Sequence, residues 1–101
     1  MAEPSFDSDS DRSRYKERLE IIQTRLSARF KSVTHEWDAD TKSEVFAFSL
    51  KDESFRLSVP RQTLVAEVIT LFYIESNIDS VKGSSWKSML LTPTEGIVPL
   101  E

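Results

Sequence analysis

The sequence predicts a small α+β domain of order α-β-β-β-α. A three-stranded antiparallel meander would pack on two helices, with a C-terminal segment covering the core. Three observations carry this expectation. Tyr15, Leu19, Ile22, Leu26 and Phe30 recur at steps of four and three, the repeat of one helix face. Between residues 32 and 59 the apolar period changes to two, broken by turn-forming runs. After Pro60 the helical period returns.

The 101 residues suit one domain. At 11.6 kDa, folding would bury roughly 65% of the unfolded chain's surface, enough for one modest core. Residues 1–10 are rich in Ser and Asp and read as a disordered acidic tail. Residues 11–99 form the single domain. The closing Leu100 and Glu101 resemble residues left by a cloning site before a purification tag, and carry no functional weight.

The first helix is expected over residues 11–31, which contain no Gly or Pro. Asp9, Ser10 and Asp11 are its candidate caps. Val33, His35 and Trp37 then alternate with polar residues as a first strand. Residues 38–43 read as a turn. Residues 45–50 are apolar on both faces, so the middle strand is the most buried. A tight turn at 51–54 leads to alternation at Phe55, Leu57 and Val59. Pro60 ends that strand and tolerates a first helical turn. A second helix is expected over residues 61–77. Residues 78–101 hold a loop at 82–85, then Trp86, Met89, Leu90 and Leu91 in either helix or strand. Pro93, Gly96 and Pro99 interrupt the remainder.

Several chemistries lack their residues. No Cys means no disulfide, thiol nucleophile or thiolate metal site, and one His excludes a multi-histidine metal cluster. No apolar run approaches the ~20 residues that span a bilayer. The first residues lack the basic start and apolar stretch of a signal peptide. The expected setting is cytoplasmic, with no membrane partner. With glycine only at 83 and 96, no Gly-rich phosphate loop can form, and no serine sits in a Gly-x-Ser-x-Gly elbow. Asp38 and Asp40, with Glu36 and Glu44, lack the Gly and terminal Glu of a calcium loop and read as a turn. His35 on a strand reads as a partly buried histidine; a catalytic role would need a carboxylate within hydrogen-bond reach. The expectation is a non-enzymatic protein without cofactor or metal.

The net charge of −4 hides an asymmetry. Residues 1–11 carry −4, residues 12–31 carry +5, and the remainder is acidic. Arg14, Arg18, Arg25 and Arg29 fall within about 60° on a helical wheel. Guanidinium forks in a row match an acidic protein surface or a phosphate backbone. The competing reading is internal. Arg14–Arg18 and Arg25–Arg29 are like-charge pairs four apart, which costs a helix a few tenths of a kcal/mol each. The acidic hairpin (Glu36, Asp38, Asp40, Glu44), the acidic tail or a partner would compensate. The order α-β-β-β-α also occurs in double-stranded-RNA-binding domains, which grip phosphate with a lysine cluster opening the second helix. Residues 60–65 offer one base there.

The second expected helix is apolar over roughly 200° of its circumference, wider than a one-sided stripe. Tyr73 and Ile74 lie off the main stripe. Either the C-terminal segment covers this surface, or Ile69, Tyr73 and Ile74 join a twofold homodimer. The functional expectation is a small protein-interaction or accessory module with an acidic protein partner. The alternative is nucleic-acid binding through the arginine stripe.

Overall fold

The computed structural model describes residue 6, residues 8–83 and residues 85–100. The expected acidic tail therefore lies partly outside the described residues, at 1–5 and 7, as does Glu101. Within the tail, Phe6 packs edge-on against Tyr15 with ring centres 5.0 Å apart.

Helix α1 spans Asp9–Arg29. Its cap is Ser8 rather than Asp9, Ser10 or Asp11: the Ser8 side chain accepts from the Asp11 amide at 3.1 Å. Asp9 and Asp11 occupy the first turn, where carboxylates meet the positive end of the helix dipole. Tyr15, Ile22, Leu26 and Phe30 of the expected stripe are buried, and Leu19 packs against them. At Phe30 the backbone turns extended. Ser32 has φ 56°, and the pairing register shifts between Lys31 and Thr34.

The meander forms as expected: β1 (Lys31–Asp38), β2 (Ser43–Leu50) and β3 (Glu53–Pro60), all antiparallel. Lys42 and Lys51 take positive φ at the two turns. Asp38 accepts from the Asp40 amide at 2.9 Å, so its carboxylate serves the turn.

The helix expected over residues 61–77 is interrupted. It forms α2 (Arg61–Val65) and α3 (Leu71–Ser80), followed by a 3₁₀ turn, Val81–Gly83. Ala66 ends α2 in an extended conformation, and the Thr70 side chain caps α3 by accepting from the Tyr73 amide at 3.1 Å. The apolar periodicity runs through this break without registering it, because it records which residues face inward and not where the backbone bonds go.

The C-terminal segment closes the core as two strands. Strand β4 (Ser88–Thr92) pairs parallel with β3, and β5 (Gly96–Pro99) pairs antiparallel with β4. The sheet order is β1-β2-β3-β4-β5. The parallel β3–β4 step needs a crossover, which α2 and α3 supply. The helices lie on one face. Phe46, Leu57, Met89 and Leu91 rise from the sheet and are fully buried beneath Ile22, Leu26, Ile74 and Ile78. Phe30 packs its ring 4.6 Å from Phe48 and 5.6 Å from Phe55. Truncating a ring such as Phe46 to Ala costs about 3–5 kcal/mol. No helix among the described residues is long and apolar enough to cross a membrane.

Candidate interaction surface

Helices α1 and α3 run side by side in the same direction. Arg14 reaches the Val65 carbonyl at 2.9 Å, Arg18 reaches Ile69, and Arg25 reaches Glu75 and Asp79. The expected arginine stripe is therefore the seam between α1 and the α2–α3 segment, and each of its guanidiniums is engaged within the chain.

Arg14 also pairs with Asp11 at 3.2 Å. Arg18 is 4% exposed. Its Nη1 donates to the carbonyls of Thr63 (3.2 Å), Leu64 (3.4 Å) and Ala66 (2.8 Å), and its Nη2 to that of Ile69. An unbroken helix would spend these carbonyls on its own amides; here one guanidinium takes four of them. Burial and then the neighbouring Arg14 charge pull the Arg18 pKa below the ordinary arginine value. Arginine starts so high that the group stays charged at neutral pH.

Arg25 bonds Asp79 at 2.6 Å and Glu75 at 2.8 Å, and Arg29 sits 3.2 Å from Asp79. The bonds to Asp79 and then Glu75 raise the Arg25 pKa. The compensating acids thus come from α3 and Asp11. Glu75 and Asp79 are four apart, as are Arg25 and Arg29. Two like-charge i,i+4 pairs of opposite sign are a signal readable in the sequence, and matching them would have pointed to α3 rather than to the hairpin.

The acidic hairpin is used elsewhere. Glu44, 5% exposed, accepts from the Tyr15 hydroxyl at 2.6 Å and lies 3.0 Å from His35 Nδ1. Burial first, and then the hydrogen bond to Glu44, hold the Tyr15 hydroxyl well above the ordinary phenol range. The β1–β2 register explains the contact. Glu44 stands opposite Trp37 and Phe46 opposite His35, so Glu44 and His35 share the inner face on a diagonal. Histidine does have its carboxylate, but from the neighbouring strand rather than from Glu36, whose partner Val45 lies on the outer face.

The expected oligomer surface is also internal. Ile74 is fully buried and Ile69 is 5% exposed. The Tyr73 hydroxyl donates to the Thr92 carbonyl at 2.6 Å and accepts from the Gly96 amide at 2.8 Å. Instead, the interruption at residues 66–70 turns Val68 outward at 89% exposure and Phe72 at 77%. Leu71 is 37% exposed beside them.

Along this shoulder two clefts share Glu17. One, of about 410 Å³, is lined by Asp9, Ser10, Ser13, Arg14 and Glu17. The other, of about 360 Å³, is lined by Glu17, Glu20, Ile21, Thr24, Arg25 and Glu75. Phe72 lies three residues before Glu75 and so on the same side of α3. Glu17 and Glu20 of α1 are exposed there, with the Arg18 charge close to Glu17.

No protein-family model matches the chain, and no curated protein or solved structure matches it either.

Proposed function

We propose that this chain is a small non-enzymatic protein-interaction or accessory module that docks a protein partner on the α1–α3 shoulder, with the cytoplasm as its setting. One observation carries the reading. In a domain whose other large side chains are mostly buried, Val68 and Phe72 stand 89% and 77% exposed, four residues apart. Large apolar side chains held in water are the common mark of a surface that is covered in use.

Nucleic-acid binding through the stripe has weaker support. Phosphate contact needs guanidiniums that reach solvent, and Arg18 is 4% exposed with its donors on backbone carbonyls. Arg14, Arg25 and Arg29 are already paired with Asp11, Glu75 and Asp79, which argues against an acidic partner seated on the stripe. A homodimer would have to use Val68 and Phe72, since Ile69 and Ile74 are buried.

The test is site-specific photocrosslinking in cells, with the reactive residue at position 72 and, as control, at Thr34 on the opposite face. A discrete adduct from 72 alone is expected. Absence of any adduct from 72 or 68, in a chain shown to be folded, overturns the module.

A further inference from the structure

We infer that the corner formed by Arg12, Tyr15 and Arg61 is a recognition site for an aromatic side chain carried in an acidic segment. In this chain its own Phe6 fills the site, and such a segment of another protein takes Phe6's place. The site includes neither Val68 nor Phe72, and the inference does not rest on them.

The Phe6 ring stands at 71° to that of Tyr15, with centres 5.0 Å apart, the edge-to-face arrangement that aromatic pairs favour. The guanidinium carbon of Arg12 lies 5.5 Å from the Phe6 ring centre and that of Arg61 5.9 Å. Both are within the ~6 Å reach of cation–π attraction. Phe6 is not the ordinary apolar clamp of a helix start. With Ser8 as the cap, that clamp would join residue 7 to residue 12, which are Asp and Arg.

The walls of the corner are held by bonds that do not involve Phe6. The Tyr15 hydroxyl donates to Glu44 at 2.6 Å, and Glu44 lies 3.0 Å from His35 Nδ1. The Arg61 amide donates to the Lys42 carbonyl at 2.9 Å, which ties its backbone to the β1–β2 turn. A site kept in shape by its surroundings costs a ligand little ordering. Phe6 itself is only half-buried.

The occupant shows the chemistry that fits. Phe6 is the sole aromatic residue among residues 1–14, and residues 1–11 hold Glu3, Asp7, Asp9 and Asp11 with no base. Arg12 pairs with no carboxylate among the described residues. An aromatic ring in acidic sequence therefore meets two guanidiniums, and a competing segment needs the same two properties. A side chain tethered by a few residues acts at a roughly millimolar effective concentration. Phe6 thus sets a threshold, and the apparent affinity for a partner falls by the fraction of time the site stands empty.

The test uses the full chain, its Phe6→Ala variant and a synthetic peptide with the sequence of residues 1–11, followed by backbone amide NMR. The peptide is expected to bind Phe6→Ala and to shift the amides of Arg12, Tyr15 and Arg61. The parent chain should bind it at least tenfold more weakly, the ratio for a site left empty about a tenth of the time or less. A Phe6→Ser peptide should not bind, and an Asp7→Lys/Asp9→Lys peptide should bind at least tenfold more weakly. Adding Arg12→Ser/Arg61→Ser to the Phe6→Ala chain should cost the unaltered peptide at least tenfold. If Phe6→Ala does not fold, displacement is read in the parent chain. There, about 10 mM peptide, above the effective concentration of the tether, should move the Phe6 amide resonance to where Arg12→Ser/Arg61→Ser places it. No binding to folded Phe6→Ala, equal binding of the Phe and Ser peptides, equal affinity of parent and variant, or indifference to the lysine or arginine changes overturns the inference. So does an unmoved Phe6 resonance in the displacement experiment. None of these results bears on the adduct expected at position 72, so the two readings fail separately.

Discussion

The guanidinium of Arg18 and the carbonyl of Ile69 join the middle of α1 to the end of the break between α2 and α3. The same side chain holds the carbonyls of Thr63, Leu64 and Ala66. Arg18 therefore does for residues 63–69 what helix amides do elsewhere, and Val68 stands exposed within that stretch.

Arg18→Met keeps the stem and removes the donors. It should destabilise the fold by about 1–3 kcal/mol, the cost of leaving buried carbonyls without their donor. Arg18→Lys should recover little, because an ammonium cannot spread across several carbonyls as a planar fork does. Urea unfolding measures both. Amide exchange over residues 63–70 should rise in each variant.

Tyr15→Phe leaves the buried Glu44 carboxylate without its hydroxyl donor. A loss of about 1–3 kcal/mol is expected at neutral pH. The pH dependence comes from the raised Tyr15 value. Below about pH 10 the phenol is neutral in both states, and its contribution is fully present. Above that, the unfolded chain releases the proton while the folded chain keeps it, so stability falls as pH rises. Unfolding midpoints measured across the alkaline range should fall less steeply in Tyr15→Phe than in the parent.

Gly96 has φ +70°, and a Cβ there would lie 2.6 Å from Asn77 Oδ1. Gly96→Ala should cost about 1–2 kcal/mol from the left-handed backbone alone, and more from the displaced Asn77. Asn77→Ala in the same chain should return the second part and not the first. A double-mutant cycle in thermal unfolding separates them.

Val68→Ser/Phe72→Ser should leave folding stability within about 0.5 kcal/mol, since neither side chain is packed. The same variant should lose the photocrosslinked partner when the reactive residue is placed at Leu71. Chemical denaturation and crosslinking together check this pair of outcomes.

The meander was legible in the sequence because strand periodicity and turn residues are local. Leu57 and Val59 had to face one way because their neighbours Arg56 and Ser58 are polar. Helix α1 was legible for the same reason, down to its buried residues. The arginine stripe was legible as a line on a helix, but its direction was not. Periodicity reports that Arg18 borders the apolar face; it does not report whether solvent or a second backbone lies beyond. Glu44 was legible as one acid among four in a hairpin, and only the β1–β2 register set it diagonal to His35.

By itself the sequence determined the α+β class, the order of the first elements, the three antiparallel strands and most of the core. Tertiary structure alone decided that residues 61–80 are two helices, that residues 88–99 add a parallel strand and a hairpin to the sheet, and that the arginines of α1 face inward. The reason is physical. Local patterns fix which side of an element is apolar, whereas the fate of a charge or a carbonyl depends on the distant group that can satisfy it. Arg18 finds four such groups about 45 to 51 residues away, beyond the reach of any local pattern.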